Sequence, residues 1–524
     1  MMLAPWSVML ATAHSAALLG LDGALIRVEV RAARGVPSFE LVGLAEVAVR
    51  ESRVRVKSAL AQIAIDLSEY CIVVNLAPAD VRKAGASFDL AIAAATMAAL
   101  GRVPPESLDG VLFLGELSLA GAVQPVRGVL PQLLGARSKG IARALVPTGN
   151  AAEAALVPGL DTRTVATIDD LLQALTGRLV LPVARADASA PEPALVDDLA
   201  EVRGQASARR ALEICAAGGH NLVLIGPPGG GKTMLARRLP GLMPRLTPEE
   251  ALEITAVRSV AGLLTHTKAL PGSRPFRAPH HTVSDVGLVG GGDVPRPGEL
   301  SLSHHGVLFL DELPEFRRSA LEALRQPLED GVVTVSRAQG RATFPARPLL
   351  VCAMNPCPCG YHGDPSGRCS CTAVRVRAYR ARVSGPLLDR IDVHVALPPV
   401  DVSDLRRIAP GESSAAVQQR VIAARAVQEA RLRAGEVAAG CNAALSPRDL
   451  ERVACLSDAG DHILAQAVSR LGLSARGYTK VLRVARTIAD LAGSTSIAPA
   501  HLAEAISLRV LDRAPTPSSA HAAA

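Results

Sequence analysis

A glycine-rich run of eight residues has the spacing of a loop that binds nucleotide phosphates: Gly226-Pro227-Pro228-Gly229-Gly230-Gly231-Lys232-Thr233. It follows an apolar run at 221–225 that predicts a strand, and it precedes a predicted helix, as the motif requires. Glycines let backbone N–H groups turn toward phosphate oxygens, and the helix N-terminus adds partial positive charge. We expect Lys232 to reach the β- and γ-phosphates of a nucleoside triphosphate, and Thr233 to ligate Mg²⁺.

Two acidic residues at the end of a second apolar run could complete this chemistry. Asp311 and Glu312 follow Val307-Leu308-Phe309-Leu310, which predicts a strand that ends beside the phosphate loop. Asp311 would hold Mg²⁺, directly or through water, and Glu312 would polarise the attacking water as a general base. The alternative is a helix N-terminus that merely carries two acids.

Two more polar residues have types that suit phosphate chemistry. Asn355 follows a third apolar run at 349–353, where its amide could orient the attacking water. Arg390 lies in the run GPLLDRID and could stabilise charge on the γ-phosphate as an arginine finger. A finger supplied by a neighbouring subunit would require an oligomer. The alternative for Arg390 is a surface ion pair with its adjacent aspartates.

The elements that must position these residues follow a simple pattern. Short apolar strands alternating with helices predict an α/β domain with a parallel sheet covered by helices on both faces. Later in the chain the strand signals stop, and an amphipathic helix is predicted between Ser474 and Gly493. The predicted organisation is an N-terminal domain over 1–182, a linker over 183–198, the phosphate-loop domain over 199–400, a helical domain over 401–512 and a disordered tail over 513–524.

Composition excludes several classes of protein. The chain has 524 residues, of which 49% are apolar and 20% charged, so it is not mainly disordered. A net charge of +7 permits a polyanionic partner, while 2% aromatic residues argue against holding single strands by base stacking. No apolar run is long enough to span a membrane, and the apolar start lacks the basic segment of a signal peptide. We expect a cytoplasmic protein without membrane contact.

Four of the nine cysteines cluster as two C-x-C pairs separated by nine residues: Cys357, Cys359, Cys369 and Cys371. Four thiols this close could form a tetrahedral zinc site, although the spacing is not the usual C-x₂-C. His362 is an alternative fourth ligand, and reduced cysteines without metal are the other interpretation. Two histidine pairs, His280-His281 and His304-His305, could bind a metal, but adjacent residues on a strand face opposite sides, so each pair would supply one ligand at most; we favour a structural role.

The motifs GPPGGGKT, VLFLDE, AMNP and GPLLDRID, in this order, resemble those of AAA+ ATPases. The stretch RPFRAPHHTVSDVGLVGGG resembles the magnesium-chelatase-like branch. Over residues 5–512 the chain is similar to the bacterial ComM/YifB family, as shown by LVGLAEVAVRESRVRVKSAL, CPCG and LSARGYTKVLRVARTIADL. The resemblance implies an AAA+ core with a C-terminal helical lid and a hexameric ring motor that hydrolyses ATP. It also implies DNA branch migration in natural transformation, with recombination proteins as partners; a general role in recombination is equally open.

The resemblance also assigns roles to single residues. Lys232 and Thr233 correspond to Walker A, Asp311 and Glu312 to Walker B, Asn355 to sensor 1, and Arg390 to the arginine finger. Arg476 corresponds to the sensor 2 arginine, and whether it acts within its own subunit or across a boundary stays open. Val202, Gly204 and Gln205 resemble the segment that frames adenine.

Two inserts could line the pore of such a ring. One is the stretch 280–300, rich in Gly and His. The other is a predicted hairpin formed by the β-branched runs 332–336 and 341–344 around a glycine-containing turn. Arg337 and Arg341 flank its tip and could contact DNA phosphates. The alternative is a solvated hairpin with ordinary surface charges.

Part of the N-terminal domain resembles the protease domain of Lon, which has a ribosomal S5 domain 2-like α+β fold. The similarity lies in VRKAGASFDLAIAAA and in FLGELSLAGAVQPVRGVLPQLLGARSKGI. Ser87 falls at the position of the nucleophile, whereas the position of the catalytic Lys holds Leu130 or a neighbour. A serine hydroxyl without a base is not activated at neutral pH, so we expect no peptidase activity.

Two other functions compete with the DNA motor. One is a chelatase-type ATPase that remodels a protein or a metal-insertion partner, and the other is an ATP-dependent protease. Stimulation of ATP hydrolysis by nucleic acid would distinguish the DNA motor from both.

Overall fold

The structure is a computed structural model that describes residues 9–43, 47–81, 83, 85–185, 197–264, 270–292, 294–337, 340–364, 367–399 and 411–512. Most of the predicted linker (186–196) and the predicted tail (513–524) lie outside these residues. Within the described ranges, no helix combines the length and apolar character needed to cross a bilayer.

The N-terminal part is built on a mixed sheet of seven strands in the order β3-β4-β2-β1-β5-β8-β9. β2 pairs antiparallel with β1 and β4, and the other neighbours are parallel. Every residue of helix α2 is buried, because its many alanines let it pack closely on the sheet. The strands are β1 Met9–Leu19, β2 Asp22–Arg34, β3 Ser38–Val42, β4 Tyr70–Ala77, β5 Val111–Phe113, β8 Arg143–Pro147 and β9 Asp161–Val165, with β6 Glu116–Leu117 and β7 Val123–Gln124 as a separate ribbon. The helices are α1 Val47–Gln62, α2 Asp89–Ala99, α3 Val129–Ser138, α4 Ala151–Ala154 and α5 Ile168–Leu175.

The second part contains the predicted parallel sheet, with five strands in the order β11-β14-β17-β10-β18. All residues of β10, β14 and β17 are buried, which explains their apolar runs, because helices cover both faces. The strands are β10 Leu222–Ile225, β11 Phe276–Arg277, β14 Val307–Leu310, β17 Leu349–Met354 and β18 Val393–Ala396; the short ribbons are β12 Gly290–Gly291 with β13 Arg296–Pro297, and β15 Val332–Arg337 with β16 Gly340–Pro345. The helices are α6 Ala206–Gly218, α7 Lys232–Leu242, α8 Pro248–Ala261, α9 Asp285–Val289, α10 Glu299–Leu302, α11 Arg318–Ala323, α12 Arg325–Asp330, α13 Ala373–Arg380 and α14 Gly385–Leu388.

The third part is helical, as predicted. Its elements are α15 Ser414–Arg433, α16 Pro447–Val453, α17 Asp458–Leu471, α18 Ala475–Leu491 and α19 Pro499–Ser507. Ser474 caps α18 by accepting a hydrogen bond from the Gly477 N–H at 3.1 Å, so the helix starts where the sequence predicts. Val481, Val484 and Ile488 of α18 pack into the same core as β10 and β17. The mixed α/β fold with a C-terminal helical domain is therefore confirmed.

The N-terminal part contacts the parallel-sheet part through helix α8. The buried carboxylate of Glu153 accepts hydrogen bonds from the Ser259 hydroxyl of α8 and from the Leu130 N–H, the latter at 2.7 Å. Burial raises the pKa of Glu153, and these donors oppose the rise. A second contact joins the β1–β2 turn to hairpin β15–β16, since a Cβ built on Gly20 would lie 3.0 Å from the Thr343 carbonyl oxygen.

Candidate active site

The glycine-rich loop connects the end of β10 to the first turn of α7. Gly231 has a φ of 79°, a left-handed conformation that suits glycine and allows the chain to enter the helix at Lys232. The Lys232 ammonium donates to the carbonyl oxygens of Gly226 at 2.8 Å and Pro227 at 2.9 Å. Burial lowers the pKa of Lys232, opposed by the charges of Asp311 and Glu312. The loop therefore concentrates one cation beside two carboxylates.

Lys232 also reaches the end of the neighbouring strand. Its third contact is to Oδ1 of Asn355, 3.0 Å away. β10 and β17 are parallel and adjacent, with Ile225 paired to Met354, so both strands end at the same edge of the sheet. The structure thus brings together the lysine and the amide that the sequence placed 123 positions apart.

Thr233 and Asp311 are joined by a hydrogen bond across the site. The Thr233 hydroxyl donates to Oδ2 of Asp311 at 2.8 Å, and the Glu312 N–H donates to Oδ1 at 2.9 Å. Two oxygens in neighbouring positions of an Mg²⁺ octahedron are roughly 2.9 Å apart, given Mg–O distances of about 2.0–2.1 Å. The Thr233 hydroxyl and the Asp311 carboxylate therefore fit adjacent ligand positions.

Glu312 has a partner that the sequence did not reveal. Oε2 of Glu312 lies 3.2 Å from Nδ1 of His281, which follows β11 at the far edge of the sheet. The Glu312 backbone has a φ of 53°, a strained conformation for a residue with a side chain and one that often marks functional sites. Because His281 precedes Glu312 by 31 positions in a long insert, no local spacing could have found the pair.

The histidine pairs lie in turns and not on strands, so the prediction that adjacent rings face opposite sides is wrong. His304 and His305 have ring centroids 3.8 Å apart, and Nε2 of each lies 2.8 Å from Oε2 of Glu253. His305 has a φ of 55°, which turns its ring back beside its neighbour. The Arg347 N–H donates to Nδ1 of His304, which favours the tautomer with the proton on Nε2, toward Glu253. The expected structural role fits this geometry.

Neither of the two predicted arginines has a hydrogen bond or ion pair with the phosphate loop among the described residues. Arg390 is nearly buried: its guanidinium pairs with Glu329 at 2.6 Å and donates to the carbonyl oxygens of Arg325 and Pro386. Arg476, in the first turn of α18, is exposed and has no hydrogen bond or ion pair with any described residue. The contacts of Arg390 within its own chain would have to break before its guanidinium could bind a nucleotide.

The segment predicted to frame adenine lies at the start of α6. Val202 is fully buried, and Gln205 has a φ of 50° and donates from Nε2 to the Pro398 carbonyl oxygen at 3.3 Å. This bond ties the segment to the chain just beyond β18, on the same side of the sheet as the glycine-rich loop.

The four clustered cysteines converge after Asn355. The Sγ atoms of Cys357, Cys359, Cys369 and Cys371 all lie within 4.8 Å of one another. The Sγ of Cys357 is 3.3 Å from that of Cys359 and 3.8 Å from that of Cys369, and the Sγ atoms of Cys359 and Cys369 are 3.7 Å apart. A tetrahedral zinc site with Zn–S bonds of about 2.3 Å has S···S edges of about 3.8 Å. The donor set therefore fits Zn²⁺, and these four thiols need no ligand from His362.

The predicted hairpin is present as β15 and β16, which pair antiparallel. Val333, Val335, Ala342 and Phe344 are buried, while Arg341 near the tip is exposed. Arg337 ends β15, opposite Gly340. In the N-terminal part, Ser87 and Leu130, the latter on α3, are both buried.

The five-stranded parallel sheet, the phosphate loop after its β10 strand, the acids after β14 and the helical third part together define an AAA+ P-loop ATPase. Residues 198–405 match the family described as magnesium chelatase, subunit ChlI, residues 28–150 match subunit ChlI of Mg-chelatase, and residues 411–509 match the ChlI C-terminal family.

Two relatives extend this match over nearly the whole chain. Competence protein ComM of Haemophilus influenzae is 43% identical over 511 residues, covering 96% of this chain and 98% of ComM. YifB of Escherichia coli, described as uncharacterized, is 42% identical over 506 residues, covering 96% and 98%. The chain therefore belongs to the magnesium-chelatase-like AAA+ family that includes ComM and YifB. Membership makes it an AAA+ ATPase, whose nucleotide is ATP and whose metal is Mg²⁺.

A weaker relative is consistent with the predicted N-terminal fold. Lon protease 2 of Bacillus subtilis is 27% identical over 177 residues, which is 31% of this chain and 31% of that protein. A match of this extent supports a shared fold and does not transfer an activity.

Proposed function

We propose that the protein is a hexameric ring motor that hydrolyses ATP, translocates on DNA and drives branch migration of recombination intermediates, as in natural transformation. The observation that carries the ATPase part is the convergence of Lys232, Thr233, Asp311 and Asn355 at one sheet edge. The printed name of the ComM relative, a competence protein, supports the DNA part.

Each residue of the edge has a distinct task in hydrolysis. Lys232 exchanges its carbonyl contacts for the β- and γ-phosphates, while the N–H groups of the glycine-rich loop hold the remaining phosphate oxygens. Thr233 and Asp311 hold Mg²⁺, which neutralises charge on the phosphates when bound. Glu312 takes the proton of the attacking water, and Asn355 orients that water. Val202, Gly204 and Gln205 frame the adenine.

The two arginines act between subunits. Within one chain Arg390 pairs with Glu329, whereas an arginine finger must face a γ-phosphate. In a ring, Arg390 of one subunit would reach the nucleotide of the next, and the exposed Arg476 would act at the same boundary. This arrangement makes hydrolysis dependent on assembly.

DNA contacts are assigned to hairpin β15–β16, with Arg337 and Arg341 binding phosphates without reading sequence. The hairpin lies between the strand that carries Glu312 and the strand that carries Asn355, so nucleotide-driven shifts of either strand reach it directly. Its contact with the Gly20 turn links the same motion to the N-terminal domain.

The N-terminal domain, residues 1–182, is proposed to be a Lon-like scaffold without peptidase activity. Leu130 provides no base for Ser87, and its own N–H is bonded to Glu153. The four cysteines are proposed to hold a structural Zn²⁺ that does no chemistry.

The test is the ATPase rate of the full chain without DNA and with single strands, duplex and a four-way junction. Stimulation by DNA, strongest with the junction, is expected, and Lys232→Ala should abolish hydrolysis under all conditions. An ATPase rate that none of these DNA substrates changes would refute the proposed DNA motor. The result would then favour the alternative, a chelatase-type ATPase acting on a protein or metal-insertion partner, which the match to the magnesium chelatase subunit supports.

A further inference from the structure

The described residues 356–364 and 367–372, here called the cysteine loop, include a direct contact with the phosphate loop. Gly360 of the cysteine loop has a φ of 87°, and a Cβ built on it would lie 2.6 Å from Cδ and 2.8 Å from Cγ of Pro228. A proline ring cannot rotate out of the way, so only glycine permits this approach. Pro228 is the third residue of the glycine-rich motif that binds phosphates.

The position of Gly360 is set by the cysteines on either side of it. Its N–H donates to the Cys357 carbonyl oxygen at 3.0 Å, and Cys359 precedes it directly. Cys357 is fully buried, and its Sγ lies close to the Sγ atoms of Cys359 and Cys369. Because Cys357 is two residues beyond Asn355, the loop begins at the site, and Gly360 near its start contacts Pro228.

We propose that zinc bound by the four thiolates holds Gly360 against Pro228 and thereby sets the affinity of the phosphate loop for ATP. The cysteine loop is a metal-dependent brace of the nucleotide site, and the protein binds ATP tightly only when the metal is present. This inference rests on the proposed zinc and nucleotide sites and is independent of the DNA role.

The physical reason is the stiffness of the two loops. A glycine-rich phosphate loop has large backbone freedom, and ordering it costs binding free energy unless a neighbour already restricts it. Four thiolate–zinc bonds close the cysteine loop and fix its shape, whereas free thiols do not cross-link its two C-x-C pairs. Loss of the metal would release Gly360 from Pro228, and the phosphate loop would sample conformations that do not bind phosphates.

The chain offers matched controls for this contact. Gly363 and Gly367 lie in the same cysteine loop with φ values of 83° and 69°, yet a Cβ on either meets nothing within 4 Å. Gly360→Ala, Gly363→Ala and Gly367→Ala therefore impose the same kind of backbone strain, and only the first adds a clash with Pro228. All four zinc ligands are unchanged in each variant.

The experiment measures zinc content by elemental analysis and the Kd for N-methylanthraniloyl-ATP by fluorescence, on the full chain without DNA. All three glycine variants should contain one zinc per chain, and Gly360→Ala should raise Kd about tenfold while the controls stay within about twofold. Cys369→Ser should lose zinc and raise Kd to a similar extent. Wild-type protein stripped of zinc by a chelator should show a similar rise in Kd, and adding Zn²⁺ should restore the original Kd.

Two results would refute the proposed brace. One is a Gly360→Ala variant that binds the nucleotide with the Kd of wild type, and the other is zinc-free wild type that keeps its affinity for the nucleotide. Failure of wild type with full zinc to bind the nucleotide would refute the proposed nucleotide site instead. The DNA role does not enter the measurement, so its failure would leave this result intact.

Discussion

His281 Nδ1 lies 3.2 Å from Oε2 of Glu312, so an imidazole from the sheet edge occupies one oxygen of the proposed catalytic carboxylate. The same ring packs edge-on against Phe316, with centroids 6.4 Å apart. A carboxylate oxygen engaged by a neighbour is a weaker acceptor for the proton of water. We therefore expect this contact to restrain hydrolysis until His281 moves.

Replacing His281 by Ala should raise ATP hydrolysis without DNA about fivefold, the rate equivalent of losing one solvent-accessible polar contact of about 1 kcal/mol. The factor by which DNA stimulates ATP hydrolysis should fall by the same amount, because the variant has already lost the restraint that DNA would release. His280→Ala is the matched control, since His280 bonds Thr282 within its own loop at 2.9 Å. A fall in hydrolysis for His281→Ala would show that the histidine supports the base and does not restrain it.

Arg390→Ala should lower ATP hydrolysis by about 10³-fold while ATP binding is kept, because the finger acts on transition-state charge. If Arg390 acts on the neighbouring subunit, mixing Arg390→Ala chains with Lys232→Ala chains should restore activity. Each mixed ring then contains boundaries where an intact Arg390 faces an intact Lys232. Mixtures as inactive as either variant alone would place Arg390 within its own site or in a structural role.

Arg337→Ala combined with Arg341→Ala should weaken DNA binding and reduce the salt dependence of affinity by about two phosphate contacts, leaving hydrolysis without DNA unchanged. The matched control is Arg433→Ala, an arginine on α15 whose side chain is 75% exposed. Equal DNA affinity in the double variant and the control would show that the two hairpin arginines do not bind DNA.

The buried histidines predict acid sensitivity. Burial, reinforced by His305, lowers the pKa of His304 to about 4, and burial also lowers the pKa of His220 and His394. Below the usual histidine pKa the unfolded chain binds protons at these sites that the folded chain does not, so the free energy of unfolding falls as the pH falls; for His304 this window runs from about pH 6.5 to about 4.

For His304 alone, the loss between pH 7 and pH 5 is at most about 2 kcal/mol. Urea midpoints should therefore drop over this range, and His304→Gln should flatten the drop, whereas His462→Gln at an exposed position of α17 should not. An identical pH profile for both variants would mean that His304 does not set the acid response.

Local pattern was enough to predict much of the fold. Apolar runs bounded by glycine and polar residues predicted β10, β14 and β17, because strands buried on both faces need continuous apolar side chains. The Ser474 cap and the helical spacing after it predicted α18. The order of the motifs identified the family, since each motif combines residue types with a local spacing that the chain itself records.

Contacts between distant segments could not be predicted in this way. The pairing of His281 with Glu312, the approach of Gly360 to Pro228 and the burial of Glu153 against Ser259 join segments that come together only when sheets and helices pack. The sequence predicted the residue types at the phosphate edge, because strand ends and loop glycines are local features. Tertiary packing alone determined which side chains contact that edge, because those distances depend on the whole core.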